Sequence, residues 1–392
     1  MIPLQEPRKP GAFALFYLGF RPFFLLGALF ALLLIGHWLG AFQSGWTPTY
    51  FQAGVFWHAH EMLFGFSLAI IAGFLLTAVR NWTNVQTPFG WTLAGIVAVW
   101  LIARILPFIP QVPGSLIALM NLGFPVLVAL GIGVPIVRSG NHRNLIFVGA
   151  LVGFFIAALL VHLQLMGITT ATLQTGLHLS LYLVVLIIVV IGGRVIPFFT
   201  ERGIGDVTCH RTSWLEKALI PLTVAWLVCQ LLLPGIIAAG LSLLLAVLQL
   251  IRLAGWYQKA LWKHPLLWIL HGGYGFIVLG FFLQAAAQFG VLNPSIALHA
   301  FTVGGIGGLT LGMMARVSLG HTGRPLQVTR MIQIAFICML LGAVLRIGVD
   351  LLPVPYYTAL HISGGFWMLA WLLFLIRYVP ILIKPRADGL WG

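Results

Sequence analysis

The sequence predicts an all-helical membrane protein whose chain crosses the bilayer twelve times. Of its 392 residues, 60% are hydrophobic and 7% are charged, whereas roughly 25% of the residues in a soluble domain are charged. So few charged side chains cannot cover a water-soluble surface of this size, and a disordered chain would be more polar. The division into apolar stretches and the distribution of positive charge between them support the same fold class.

Twelve apolar stretches are long enough to be membrane helices, because about 20 residues span the hydrocarbon core. Short connections separate them, so we predict one integral membrane domain over residues 1–392 without an attached soluble domain. The first stretch is too long for a signal-peptide core and is expected to remain as a span. The predicted spans are 20–41, 53–79, 89–107, 114–137, 144–166, 171–197, 213–233, 236–256, 266–290, 294–315, 329–350 and 356–379.

The positive charges support this count. When the connections are assigned alternately to the two sides, every Lys and Arg except Arg104 and Arg346 falls on one side. Lys and Arg accumulate on the cytoplasmic side of membrane proteins, so both termini are predicted to be cytoplasmic. The net charge of +14 therefore reflects membrane topology, and no nucleic-acid partner is expected.

The histidines supply the candidate chemistry. Glu61 is the only carboxylate beside the seven that lie in the outer part of a predicted helix or at its outer edge. Imidazole suits copper, iron and zinc, so we predict a buried metal or haem site towards the outer face. Each histidine taken alone has a simpler explanation, a hydrogen bond to a neighbouring backbone at the interface. The seven are His37, His58, His60, His162, His178, His299 and His361.

The cysteines limit the kinds of cofactor. The three cysteines are far apart, and no CxxC or CxxCH motif occurs in the sequence. This excludes zinc ribbons, cysteine-held iron–sulfur clusters and covalently attached c-type haem. Any haem is therefore expected to be non-covalently bound and held by histidine, and we expect haem b in more than one copy.

The segment 57–62 carries the densest group of candidate residues. His58 and His60 are two residues apart, so on a helix their side chains are separated by about 200°. They are predicted to serve two centres, one on each side of span 2, and not to chelate one ion together. Glu61 follows His58 by three residues, and this spacing suggests that it fixes the His58 ring or carries protons. The alternative is an interfacial helix start rich in aromatic residues.

An internal regularity links four spans. Spans 2, 6, 10 and 12 each combine an outer histidine with an inner arginine, in the pairs His60 and Arg80, His178 and Arg194, His299 and Arg316, and His361 and Arg377. The first three histidines recur about every four helices, which suggests three four-helix units. Span 10 is also rich in glycine between 304 and 312, which is typical of close helix packing or, alternatively, of a flat surface for a macrocycle.

Several segments spread over most of the chain carry a family resemblance. They are WHAHEMLFGF at 57–66, GFRPFF at 19–24, GRVIPFFT at 193–200, and the stretch 298–316, which continues to GHTGR at 320–324. Together they resemble the NnrS family of bacterial membrane proteins. The resemblance implies a multi-pass haem- and copper-containing protein of the bacterial inner membrane, associated with nitric oxide metabolism and protection against nitrosative stress.

The predicted architecture is also similar to the core of haem–copper oxidases and nitric oxide reductases. In those proteins, outer-side histidines on spans 2, 6 and 10 hold two haems and a third metal. Here the His-x-His pair lies on span 2 and not on span 10. We therefore take common architecture as a hypothesis and carry over no ligand assignment.

The preferred hypothesis is a haem- and copper-containing protein that binds nitric oxide or, as a reductase-like oxidoreductase, reduces it. Reduction needs metals, an apolar route for the gas, protons, and electrons from quinol or a docking donor protein. Glu61 is the predicted proton-handling residue. The predicted haem ligands are His58, His60, His178, His299 and His361. The predicted metal ligands are His58, His60, His178 and His299, with His37 and His162 as weaker candidates.

Two alternatives stay open at the level of sequence. Twelve helices with internal repeats are also typical of transporters, here for a metal, haem or a small molecule. A haem-based nitric oxide sensor or an assembly factor is the second alternative. Haem that is retained after purification would separate both haem proteins from a transporter.

Overall fold

The computed structural model describes residues 11–349 and 354–392. Helix makes up 79% of the structure, and the described residues contain no strand. Twelve helices are long and apolar enough to span a membrane, which confirms the predicted all-helical, twelve-span fold class. Arg8, Lys9 and the predicted end of span 11 at 350 lie outside the described residues. A single domain, cytoplasmic termini and three four-helix units stay predictions.

The spans are numbered α1 to α12 in chain order. They are α1 Phe20–Ser44, α2 Gly54–Thr83, α3 Gly90–Phe108, α4 Gly114–Arg138, α5 His142–Leu165, α6 Leu173–Ile204, α7 Ser213–Leu232, α8 Ile236–Trp256, α9 Pro265–Gln288, α10 Pro294–His321, α11 Arg330–Ile347 and α12 Tyr356–Ile383. The last turns of α3 and the first of α5 are 3₁₀-helical, and a separate 3₁₀ turn covers Lys259–Lys263.

Four helices, α2, α6, α10 and α12, extend at least four residues past their predicted ends. The prediction stopped α2 and α10 just before Arg80 and Arg316, and it stopped α6 and α12 at or near Pro197 and Pro380, but all four residues lie inside helices. Both arginines are buried beside a partner, since Nε of Arg80 donates to Oε1 of Gln86 and the Arg316 guanidinium lies over the Phe199 ring. Proline is tolerated in membrane helices, since neighbouring groups satisfy the freed carbonyl.

Two helices contain a π-helical segment. α2 is π-helical over Glu61–Ser67, and α10 is π-helical over Ala300–Gly307. In each helix the segment begins at the residue after a histidine, which is His60 in α2 and His299 in α10. π-helical turns are rare and occur frequently at functional sites. The structure therefore directs attention to these two positions.

The described residues pack into two compact units. The first takes those within Met1–Leu183, Val317–Pro325 and Leu375–Gly392, and the second takes those within Val184–Arg316 and Leu326–Phe374. In the first unit α1 packs against α2, α3 packs against α4, and α4 also contacts α2 and α5. In the second unit α9 packs against α8 and α10, α7 packs against α8, and α10 packs against α11.

The glycines of α10 lie against other helices of the second unit. A Cβ atom at Gly304 would clash with Phe276 of α9, and Gly308 lies directly against Gly273. Small residues let two membrane helices approach closely. This packing accounts for the glycine-rich stretch and leaves no flat surface for a macrocycle at Gly304 or Gly308.

Candidate metal site on α2

A buried polar network surrounds the start of the π segment in α2. His60 is 1% exposed and Glu61 is 2% exposed. Oε1 of Glu61 lies 2.8 Å from Nδ1 of His60, and its Oε2 accepts a hydrogen bond from Nη1 of Arg104 in α3 at 2.8 Å. A second amino group of Arg104 donates to Oδ1 of Asn121 in α4. Both oxygens of this buried carboxylate are therefore engaged.

The local backbone makes room for this network. At Gly65, inside the π segment, a Cβ atom would lie 2.9 Å from both Oε2 of Glu61 and Nη1 of Arg104, and 2.5 Å from the Phe30 ring. The Gly65 carbonyl accepts a hydrogen bond from Nε1 of Trp100 at 2.9 Å. A glycine in the widened turn thus leaves space for the ion pair, and a side chain from α3 satisfies its carbonyl.

His162 of α5 faces His60. It is fully buried, and the centroids of the two imidazole rings are 5.2 Å apart at an interplanar angle of 79°. Nδ1 of His162 lies 2.7 Å from the hydroxyl of Tyr50, which belongs to the connection between α1 and α2. Burial raises the pKa of Tyr50, so the hydroxyl stays protonated at neutral pH. A tyrosine hydroxyl donates or accepts, so both tautomers of His162 are compatible with this contact.

The Nε2 atoms of His60 and His162 lack a hydrogen-bond partner among the described residues, as do those of His37 and His271, but His60 and His162 also bring their two rings close together. Both Nε2 atoms are buried. Buried polar groups nearly always have a partner, and an Nδ1 bonded to a carboxylate or hydroxyl is typical of a metal-ligating histidine. Metal–nitrogen bonds are about 2.0–2.1 Å long, and two rings with centroids 5.2 Å apart are close enough to share one ion when both Nε2 atoms face it. The pair fits a metal held by two imidazoles.

The surroundings of the pair are apolar. The rings of Phe51 and Phe64 both lie 4.9 Å from the His60 ring, measured between centroids, and both phenylalanines are buried. Within residues 11–349 and 354–392, no three His, Cys, Asp or Glu side chains are grouped to hold a metal. The site thus offers two neutral nitrogen donors in a water-excluding environment.

The family of the chain follows from comparison with known proteins. The sequence model of the NnrS protein family matches residues 14–386. The chain belongs to the NnrS family. Membership confirms the resemblance and links the chain to nitric oxide-related metal proteins. No curated protein matches the chain at a significant level.

In this NnrS chain, His58 and His60 contact different neighbours, as the 200° offset predicted. The His58 ring stacks on Trp38 of α1, with centroids 4.6 Å apart and 14° between the planes. The Glu61 carboxylate, however, is placed on His60, whereas helical spacing had suggested His58. The π segment begins at Glu61 and changes the angular offset, and Arg104 attracts the carboxylate towards α3.

His37 lies apart from the His60–His162 pair in an aromatic environment. Its ring makes edge contacts with Trp46, Trp57 and Phe108, at centroid distances of 5.0, 4.8 and 5.8 Å. All four residues belong to the first unit. The structure therefore gives His37 aromatic neighbours.

The remaining predicted ligands share one local geometry. His299 and His361 turn Nδ1 towards the carbonyl four residues earlier in the same helix, at 2.6 Å and 2.7 Å, and His178 has a backbone hydrogen bond to Gln174, also four residues earlier. This bond fixes the tautomer whose Nε2 can bind a metal. It also satisfies the N–H of a histidine on an apolar helix, so it permits haem ligation without requiring it.

Three residues of the network were not predicted from the sequence as part of a site: Tyr50, Arg104 and Asn121. The sequence did mark Arg104 as unusual, because it and Arg346 are the two positive residues that fall on the side of the membrane opposite to all the others. Its burial at 5% exposure beside Glu61 explains the exception. Tyr50 and Asn121 have no sequence signal, since their roles depend on which helices pack together.

Proposed function

We propose that this NnrS-family protein is a haem- and copper-containing protein of the bacterial inner membrane that binds nitric oxide and thereby relieves nitrosative stress. The pair of buried Nε2 atoms on His60 and His162 carries the proposal, because the rest of each ring is already held for metal binding. Family membership supplies the link to nitric oxide.

The residues of the site have separate roles in this proposal. His60 and His162 would hold copper, which supplies a coordination position for a gas when it is bound. The Glu61 carboxylate keeps the proton of His60 on Nδ1 and leaves the lone pair on Nε2. Arg104 donates a hydrogen bond to Oε2 of Glu61 and holds the carboxylate in place. Nitric oxide is small and lipid-soluble, so it reaches a buried site without a polar channel.

Haem ligation is assigned to histidines outside this pair. His178, His299 and His361 each have a ring hydrogen bond to the backbone, through Nδ1 in His299 and His361, and this suits an axial haem ligand. His58, on the other side of α2 from His60, is the fourth candidate. Turnover of nitric oxide would further require electrons, which quinol or a donor protein would supply.

The test is metal analysis, a reduced-minus-oxidised optical spectrum and anaerobic nitric oxide titration of the purified full-length protein. We expect b-type haem and near-stoichiometric copper in the wild type. His60→Ala and His162→Ala should each lose copper and keep haem, whereas His58→Ala should lose a haem component. His142→Ala, which changes an exposed histidine at the start of α5, is the matched control and should match the wild type.

The same measurement separates the alternatives. A wild-type protein with neither haem nor copper would contradict the proposal and favour a transporter that uses the histidines transiently. Stoichiometric haem and nitric oxide binding without nitrous oxide formation, when a quinol is supplied, would favour a binding or sensing protein over a reductase.

A further inference from the structure

We infer that the His60–His162 site selects Cu(I) over divalent metal ions, and that its open coordination position takes neutral diatomic ligands. The inference rests on the proposed function, because it specifies the metal and the ligand class of the same site. It is argued from the donor set, the charge of the surroundings, and the hydrogen bond between Tyr50 and His162.

The donor set is too small for the common divalent ions. Zinc sites use three or four protein ligands, and calcium or magnesium requires several oxygen ligands. The site has two imidazoles, and the described residues add no third His, Cys, Asp or Glu. Glu61 is nearest, but its oxygens are bonded to His60 and Arg104. Cu(I) is stable with few ligands, so two imidazoles are sufficient for it.

The charge of the surroundings favours a monovalent ion. The charges of Glu61 and Arg104 cancel, and two neutral imidazoles add none, so the metal itself sets the net charge of the site. The cost of moving an ion out of water rises with the square of its charge, which makes it about four times larger for a divalent ion of equal size. No further carboxylate of the described residues is grouped here to offset that cost.

Tyr50 allows His162 to bind a metal without a change of charge. When Tyr50 donates its O–H to Nδ1, the ring proton of His162 is on Nε2. When the ring proton is on Nδ1, it is donated to the Tyr50 oxygen and the Nε2 lone pair is available. The imidazole keeps one proton in both states. Tyr50 is half-buried, so its hydroxyl can turn towards water.

The class of ligand that would bind at the open coordination position follows from the electronic structure of Cu(I) and from the apolar rings around the site. Two protein donors leave coordination positions open, and a filled d shell makes Cu(I) a good partner for π-acceptor ligands such as carbon monoxide and nitric oxide. Beside the apolar rings of Phe51 and Phe64, an anion would lose its hydration and find only the single charge of Cu(I) to offset that loss. Neutral diatomic molecules are weakly hydrated and avoid this cost.

The test titrates chelator-stripped, full-length protein in detergent with Cu(I) under anaerobic conditions, in competition with bathocuproine disulfonate. Parallel titrations use Cu(II) and Zn(II), and infrared spectroscopy follows added carbon monoxide. We expect one equivalent of Cu(I), bound at least about 100-fold more tightly than Zn(II), and a single C–O stretching band. His60→Ala and His162→Ala should lose both signals, and His142→Ala should keep both.

A milder variant keeps the test informative even when a histidine variant fails to fold. Tyr50→Phe removes the partner of His162 Nδ1 and is expected to weaken Cu(I) binding by about 10–100-fold, the usual effect of losing such a partner. Circular dichroism and gel filtration check that each variant is folded. Unchanged Cu(I) affinity in folded Tyr50→Phe and in either folded histidine variant would overturn the inference.

The remaining outcomes separate this inference from the proposed function. Zn(II) or Cu(II) bound as tightly as Cu(I) at the same residues would overturn the choice of Cu(I) and leave a copper-binding function intact. Selective Cu(I) binding with a carbon monoxide band, but no response to nitric oxide, would support the inference and contradict the proposed function.

Discussion

Each unit of this protein pairs a buried arginine with a glutamate, and the two pairs differ in how the carboxylate is shared. In the second unit, Nε and Nη2 of Arg252 bond to the two oxygens of Glu216. Nη1 of Arg252 donates to the Tyr274 hydroxyl at 3.0 Å and to the Val189 carbonyl at 2.9 Å, and Tyr274 donates to Gln249 at 2.5 Å. This arrangement clamps α6, α7, α8 and α9 together.

In the first unit the carboxylate is divided between two partners. One oxygen of Glu61 bonds to Arg104 and the other to His60, whose Nε2 is left for another partner. The same kind of ion pair thus stabilises helix packing in one unit and orients a histidine towards His162 in the other. In the proposed function, the division of the carboxylate oxygens between two partners, more than the presence of an arginine–glutamate pair, marks the ligand site.

The two arginines outside the charge pattern extend the comparison. Arg104 lies beside His60, and Arg346 contacts the Ser295 hydroxyl at 3.5 Å, which in turn is 3.1 Å from Nδ1 of His299. Each of these histidines precedes a π segment. The environment of His299 is half-buried and uses a hydroxyl instead of a carboxylate. A charge on the unexpected side of the membrane was therefore a useful pointer to both positions.

The largest effect is expected from removing either arginine. Arg104→Ala and Arg252→Ala each leave a carboxylate without its counter-charge, and breaking a buried pair costs about 3–5 kcal/mol. The cost should be smaller for Arg252→Ala, because Glu216 is 29% exposed. Thermal unfolding in detergent measures this loss. Metal analysis should then distinguish the two variants, since only Arg104→Ala is expected to release copper. Equal copper in both variants would contradict the proposed difference between the two ion pairs.

The next effect concerns the two carboxylates. In Glu61→Gln the side-chain amide can donate to Nδ1 of His60, which moves the ring proton to Nε2 and blocks the metal. We expect copper affinity to fall by about 10–100-fold, while Glu216→Gln lowers stability and leaves affinity unchanged. Chelator competition on both variants measures the difference. An unaffected affinity in Glu61→Gln would mean that Glu61 does not orient His60.

A smaller effect is expected at the tyrosine of the second unit. Tyr274→Phe removes hydrogen bonds to Arg252 and Gln249, and the loss should be about 1–3 kcal/mol because partners stay buried. Thermal unfolding gives this value. Copper binding should be as in the wild type, in contrast to Tyr50→Phe. A loss of copper in Tyr274→Phe would show that the second network also serves a metal.

The smallest effect is expected at Asp388, outside both networks. Its hydrogen bonds to Arg386 lower the pKa of the carboxyl from 3.8 to about 2. A carboxyl with a lowered pKa stabilises the fold above its ordinary pKa, and this contribution is lost as the pH falls towards 2. Asp388→Asn should therefore leave the melting temperature at neutral pH almost unchanged, because the pair is exposed. A shift comparable to that of Arg104→Ala would contradict this.

Much of the fold was predictable because the requirement that the bilayer places on a crossing segment is met within that segment. Hydrocarbon requires each crossing segment to satisfy its own backbone hydrogen bonds, so apolar length alone predicts helices. Helix ends at Arg80 and Pro197 were less predictable, because a continuing helix depends on what satisfies the charged or missing group. The π segments were not predicted, since they depend on contacts with neighbouring helices.

The twelve spans and the family could be read from the amino-acid sequence alone. So could His60 as a candidate ligand and Glu61 as a candidate proton-handling residue, because composition and spacing are local properties. Only the tertiary structure paired His60 with His162, moved Glu61 from His58 to His60, and brought Arg104 and Tyr50 to the network. These residues come from three helices and one connection, so their meeting depends on helix packing. Packing arises from the shapes of many side chains acting together, and no short segment of the sequence contains it.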